Sequence, residues 1–288
     1  MLREARNEIR TAPVFFDSGR GRTGKVENEM TDDAMEEHRE DTDFAAMIRT
    51  HVQKRPLPKR FYKQVSISDS GAGLAIELDG RPVRTPLKHL LSLPNSAMAK
   101  EVAAEWEAQA QEIDPAAMPL TRLANTAIDR VAPDLGRIVD EILAYAASDL
   151  LCYRAEDPDP LRARQCMIWD PVLDWAAASL GASLVRTTGV MPREQPAEAL
   201  AALRRHLETY DAFELTALHN MTTLSGSAII AMAIAEGHLL PQPGWEAAHV
   251  DEDWQAEQWG YDAAAARRRA FRWAEFFSAV HLLSLART

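Results

Sequence analysis

Lysine is scarce and stops early: none follows Lys100, and arginine carries the positive charge from there on. Cysteine is scarcer still. Cys152 and Cys166 are too few for a disulfide framework or a four-ligand zinc site, so a reduced, intracellular protein is expected. Basic charge is in deficit, since 32 Lys and Arg against 43 Asp and Glu give a net charge of −11. That removes the footprint of a nucleic-acid binder and disfavours an anionic membrane surface. No secretory signal is expected, because Arg3, Glu4, Arg6, Glu8 and Arg10 stand where an apolar core is needed. The longest apolar stretch, Leu224 to Ala235, is broken by Ser225, Gly226 and Ser227 and is too short to span a bilayer. A soluble protein without membrane insertion is expected.

What remains is ordinary globular material, 47% hydrophobic and 26% charged, arranged unevenly. Residues 1–55 hold an acidic block from Glu27 to Asp43 and the start of a basic one from Arg49, with few apolar residues. Too little apolar area is available to offset the entropy of ordering, so a disordered charged leader is expected, with a short helix around Phe44 to His51. Met30 offers an alternative start. Residues 56–94 read as a small antiparallel β domain: Leu74, Ile76 and Leu78 alternate, and Asp79-Gly80 is a strong hairpin signal. Arg81 to Pro86 then reads as an edge strand, because proline cannot donate to a ladder. Residues 95–288 switch to helical period and predict a larger all-helical domain without βαβ alternation. Met98, Val102, Trp106, Gln109 and Ile113 share one face, with Glu101, Glu105 and Glu112 on the surface. Further helices are expected over Asp134 to Leu150, over Leu161 to Leu180 on a stripe of Ile168, Val172 and Trp175, and from Pro196 as first helical residue. Ser225 to Glu236 predicts a buried helix closed by Gly237, and a last helix starts near Asp262. The fold class is α+β.

Catalytic signals are weak. Gly19 to Lys25 has phosphate-loop spacing, but Val26 stands where a magnesium-binding hydroxyl belongs. No nucleophile elbow exists, and Cys152 sits among Leu150, Leu151 and Tyr153 as packing. His249, Asp251, Asp253 and Glu257 could serve a metal-assisted hydrolase. Pairing of these acids with Arg267, Arg268, Arg269 and Arg272 is the simpler reading, and no metal or cofactor is expected. Trp106 and Trp273 fall on apolar stripes, whereas Trp254 and Trp259 stand among acids and glutamines. Aromatics in polar settings are enriched at protein-binding surfaces.

Seven blocks occur in an order that resembles one family: Lys59-Arg60-Phe61-Tyr62, Leu78 to Pro86, Glu105-Trp106, Met118 to Ala127, Asp149 to Arg154, Trp169-Asp170-Pro171, and Gln255 to Gly260. They resemble the ATP synthase assembly chaperones, whose mitochondrial members attend the α subunit of the catalytic head. The resemblance spans roughly Lys59 to Leu283. It implies a small β domain before a helical one, no enzymatic activity and no cofactor. It implies a partner too, the unassembled α subunit, held through the surface later covered by the β subunit. Its sensitive positions map onto Trp106 and an acid placed at Glu252, with Asp251 and Asp253 as register neighbours. Gln255 and Trp259 complete the expected client-binding segment, and Gly260 is expected, like Trp106, to be structurally sensitive. Arginine dominance suggests a bacterial source, hence a cytoplasmic location, whereas a eukaryotic source would place it in the mitochondrial matrix; a monomer is expected.

Overall fold

A computed structural model of the chain describes residues 56–71 and 73–288. The expected leader, its short helix, the Gly19 to Lys25 spacing and the Met30 start lie outside the described residues.

Four short strands form one antiparallel sheet: β1 (Val65–Asp69), β2 (Leu74–Leu78), β3 (Arg81–Pro82) and β4 (Ser92–Leu93), with β2 pairing to the other three. The β2–β3 connection is the expected Asp79-Gly80 turn. Both residues take positive φ, 50° and 75°, as a tight hairpin turn matched to strand twist requires. Asp79 also accepts backbone N–H groups of Lys63 (3.1 Å) and Gln64 (2.9 Å), tying the turn to the approach of β1. These contacts hold its carboxyl below the usual range, the Gln64 amide contributing most.

Helix α1 (Ser96–Glu107) follows, capped by Asn95, whose Oδ1 accepts from Met98 N at 2.9 Å. The same side chain donates to the Leu285 carbonyl at 2.7 Å, joining the first helix to the last. The expected helical face does not run on to Ile113. Gln109 leaves the helix, donates from its side chain to the Glu105 carbonyl (3.0 Å) and accepts from Asp114 N (2.7 Å), which closes the end. Arg60 donates to the Glu107 carbonyl at 2.9 Å, so the Lys59-Arg60-Phe61-Tyr62 block is a cap for α1.

Helix α2 (Pro119–Thr126) runs into a π turn at Ala127–Val131. Then come α3 (Leu135–Ala146), a 3-10 turn at Leu150–Cys152, α4 (Asp159–Leu180), α5 (Ala197–Leu207) and α6 (Ala212–Ser225). The remaining helices are α7 (Ala228–Ala235), α8 (Pro241–Ala247), α9 (Val250–Trp259) and α10 (Ala263–Ala286). Every residue of α7 is buried, as its unbroken apolar run predicts. Pro196 is the cap of α5 and Ala197 its first residue. The buried face of α4 is Gln165, Trp169, Val172, Leu173 and Ala176, rotated from the expected stripe; Ile168 and Trp175 are half-buried at its edge.

Two further strands, β5 (Tyr153–Arg154) and β6 (Thr187–Thr188), pair in parallel across α4. This corrects the expectation of helices alone after the sheet. Two-residue strands carry no periodic signal, so only the fold brings them together. The fold class stands as α+β. Ile76, Leu91 and Leu93 of the sheet region share one buried cluster with Met98, Val102 and the bundle, and a smaller cluster joins Tyr62, Leu78, Ile113 and Met118.

Candidate functional site

The acidic segment forms α9. His249 precedes it and is buried. Its Nδ1 lies 2.7 Å from the Trp245 carbonyl, and its Nε2 lies 3.6 Å from Glu252. Burial pushes the His249 imidazole below its ordinary range, against the pull of the Trp245 carbonyl and Glu252. Asp251 accepts from Gln165 Nε2 at 2.7 Å. Asp253 pairs with Arg269 of α10, and one of their two hydrogen bonds is 3.1 Å long. Glu257 receives two parallel bonds from Arg164, each 2.8 Å, which hold its carboxyl below the usual range. The Arg164 guanidinium also lies 5.0 Å from the centre of the Trp254 ring.

These partners occupy the residues of the hydrolase alternative. Asp253 and Glu257 are neutralised by arginines, Asp251 is held by an amide, and His249 is committed to a backbone carbonyl. Among the described residues, no three His, Cys, Asp or Glu side chains are grouped to hold a metal ion. Cys152 is no better a nucleophile, since burial pushes its thiol up to about 12, helped by Asp149.

Glu252 and Gln255 face solvent, and Trp259 and Tyr261 are 79% and 81% exposed. Gly260 between them has φ 93°, a conformation that ends α9 and favours glycine. Together α9, α10, α8 and α4 line an open groove of about 1220 Å³. Trp245 and Trp273 form its aromatic side, ring centroids 5.7 Å apart, and exposed Met167 stands at its edge. The site is thus an apolar groove beside two exposed aromatics, with most of its acids already paired.

Trp106 lies elsewhere. It is half-buried against the Tyr62, Leu78, Ile113 and Met118 cluster; its carbonyl accepts from the Tyr62 hydroxyl at 2.6 Å, and their rings meet edge-on. Three buried or half-buried acids escaped sequence reasoning. Glu105, expected on the surface, is half-buried and accepts from Leu120 N (2.7 Å), Thr121 N (2.7 Å) and Thr121 Oγ1 (2.6 Å). The missing cap of α2 was its available signal: Met118-Pro119 starts a helix with no Ser, Thr, Asp or Asn before it. Asp129, in the π turn, accepts from Thr85 Oγ1 (2.6 Å) and Leu87 N (3.0 Å) and meets His89 Nδ1 (2.8 Å). Asp149 is wholly buried and accepts from Leu151 N, Ser227 Oγ and Ile229 N.

A family model described as ATP12 chaperone protein matches residues 59–177. The chain is 22% identical over 223 residues to "Protein atp12, mitochondrial" of Schizosaccharomyces pombe, covering 71% of this chain and 76% of that one. The crystal structure of Atp12 from Paracoccus denitrificans superposes with a TM-score of 0.76 at 41% identity, over 80% of this chain and 98% of that one. The Atu1473 protein of Agrobacterium tumefaciens gives 0.77 at 45% identity, over 86% and 98%. With identity at this level along nearly the full length of both solved relatives, the chain belongs to the ATP12 chaperone family.

Proposed function

We propose that this chain is an assembly chaperone of the F-type ATP synthase that binds the unassembled α subunit, prevents its aggregation and releases it to the β subunit. Membership of the ATP12 family is the observation that carries this reading. The α9–α10 corner supports it. Trp259 and Tyr261 leave two large rings in water beside an apolar groove, the composition of a surface that caps another apolar surface. Glu252, Gln255 and Trp259 are assigned to direct client contact. Asp251 and Asp253, engaged by Gln165 and Arg269, position them, and Gly260 sets the turn. Trp106 acts through stability of the sheet–helix junction. No residue is assigned a catalytic, metal or cofactor role, and the protein is taken as a cytoplasmic monomer in a bacterium. Among the described residues, no helix is long and apolar enough to cross a membrane.

Dilution of denatured α subunit into buffer, followed by light scattering, tests the reading. Suppressed scattering at stoichiometric amounts, not reproduced by an equally acidic control protein, is the expected result. Unchanged scattering sinks the proposed client.

A further inference from the structure

Helix α9 is attached in a different way from its neighbours. Only Val250 of its ten residues is buried, so apolar packing holds little of it. Charge and polar contacts hold the rest: Glu257 to Arg164 of α4, Asp253 to Arg269 of α10, and Asp251 to Gln165. Helix α10, which follows, is instead anchored by buried Phe276, Ala279, Leu282 and Leu283. The chain leaves α9 through Gly260, whose positive φ ends the helix abruptly before the exposed Tyr261. Ala256 of α9 and Ala265, Ala266 and Ala270 of α10 line the groove along with Trp245 and Trp273.

We infer that α9 is a strap latched by ion pairs: Arg164–Glu257 and Arg269–Asp253 hold it against α4 and α10, and their release swings it outward, opening the Trp245–Trp273 side of the groove to an apolar segment of the client. What enters the groove rests on the client reading; the latch is a property of the chain alone. Both pairs are partly exposed, with side chains 31–41% accessible, so salt weakens them while leaving buried packing intact.

Amide hydrogen exchange on the full chain without client tests the latch. Raising NaCl from about 0.05 M to about 0.5 M is expected to speed exchange of the 253–260 amides roughly threefold to tenfold, with the α6 and α7 amides unchanged. Glu257→Gln should do the same at low salt, and the exchanged pair Arg164→Glu with Glu257→Arg should restore protection. Exchange in α9 that ignores both salt and Glu257→Gln overturns the latch, as does loosening spread evenly over the molecule. Complex formation with α subunit is measured separately, so loss of the latch and loss of the client give different results: an intact latch with no complex removes only the occupant.

Discussion

Three acids do structural work that their charge does not advertise. Asp149 holds the N–H of Ile229 at the start of α7 and that of Leu151 at the 3-10 turn, and takes the Ser227 hydroxyl as well. Burial raises its carboxyl to about 6, against these hydrogen bonds. Asp149→Ala leaves two buried N–H groups unpaired and is expected to cost about 3 kcal/mol. The sign of its pH dependence follows from the raised value. The folded chain binds this proton more tightly than the unfolded chain, so the stabilisation is full below about pH 4 and is lost as pH rises through about 6. The gap between wild type and Asp149→Ala in urea melts should therefore be wider at about pH 5 than at about pH 7.5; a constant gap contradicts the assignment. Trp106 makes a second test. Its Nε1 is buried with no hydrogen-bond partner among the described residues, so Trp106→Phe removes a polar group at small loss of packing. That variant should melt within a few degrees of wild type, at a cost of about 1 kcal/mol, whereas Trp106→Arg should cost roughly 3 kcal/mol or more. Equal melting of all three would show that the Tyr62 cluster does not depend on this ring.

At the scale of elements, legibility followed how local the determining forces are. The burial of helix α7 was readable from the apolar run Ala228–Ala235, and the hairpin because Asp79-Gly80 suits both left-handed positions. The start of α7 was not: Ser225, expected to open it, ends α6, Gly226 at φ 74° breaks the helix, and Ser227 caps α7. Helix α2 was not readable in the same way. Its cap comes from Glu105 in the preceding helix, so the one trace beside Pro119 is the missing local cap, which does not say where the replacement comes from. Glu105→Ala should destabilise by roughly 2 kcal/mol, read from a thermal melt, because it frees two N–H groups of α2. The acidic segment was only half legible. Pairing with the arginines of α10 was expected and Asp253–Arg269 supplies it, but Glu257 turns to Arg164, 93 positions away. Gly260→Ala isolates the turn: a Cβ there meets nothing within 4 Å among the described residues, so the backbone at φ 93° is what resists it. A cost of about 1–2 kcal/mol confined to the end of α9 is expected by hydrogen exchange; no change would mean that the turn tolerates side chains.

At the scale of the whole molecule the net charge is −11, and of the four acids of α9 two, Asp253 and Glu257, are neutralised by arginines of α10 and α4. Glu252 remains exposed at the rim, 60% accessible and only loosely paired with His249. A charge reversal there should act on recognition and spare the fold: Glu252→Lys is expected to weaken the α-subunit complex at least about tenfold with an unchanged melting temperature. Sequence order carried the resemblance, because six of the seven blocks hold capping, turn or packing positions, while Gln255 to Gly260 lies at the surface. The groove was not readable, since it exists only where four helices meet. In the proposed role this chain occupies the α-subunit surface that the β subunit later covers. The most direct measurement of that role is competition in size-exclusion chromatography: the chain and the α subunit are combined, and the β subunit is then added. A stoichiometric complex that dissolves as the β subunit takes the α subunit is the expected result. A complex that retains all three proteins, or no complex at the start, would contradict the account.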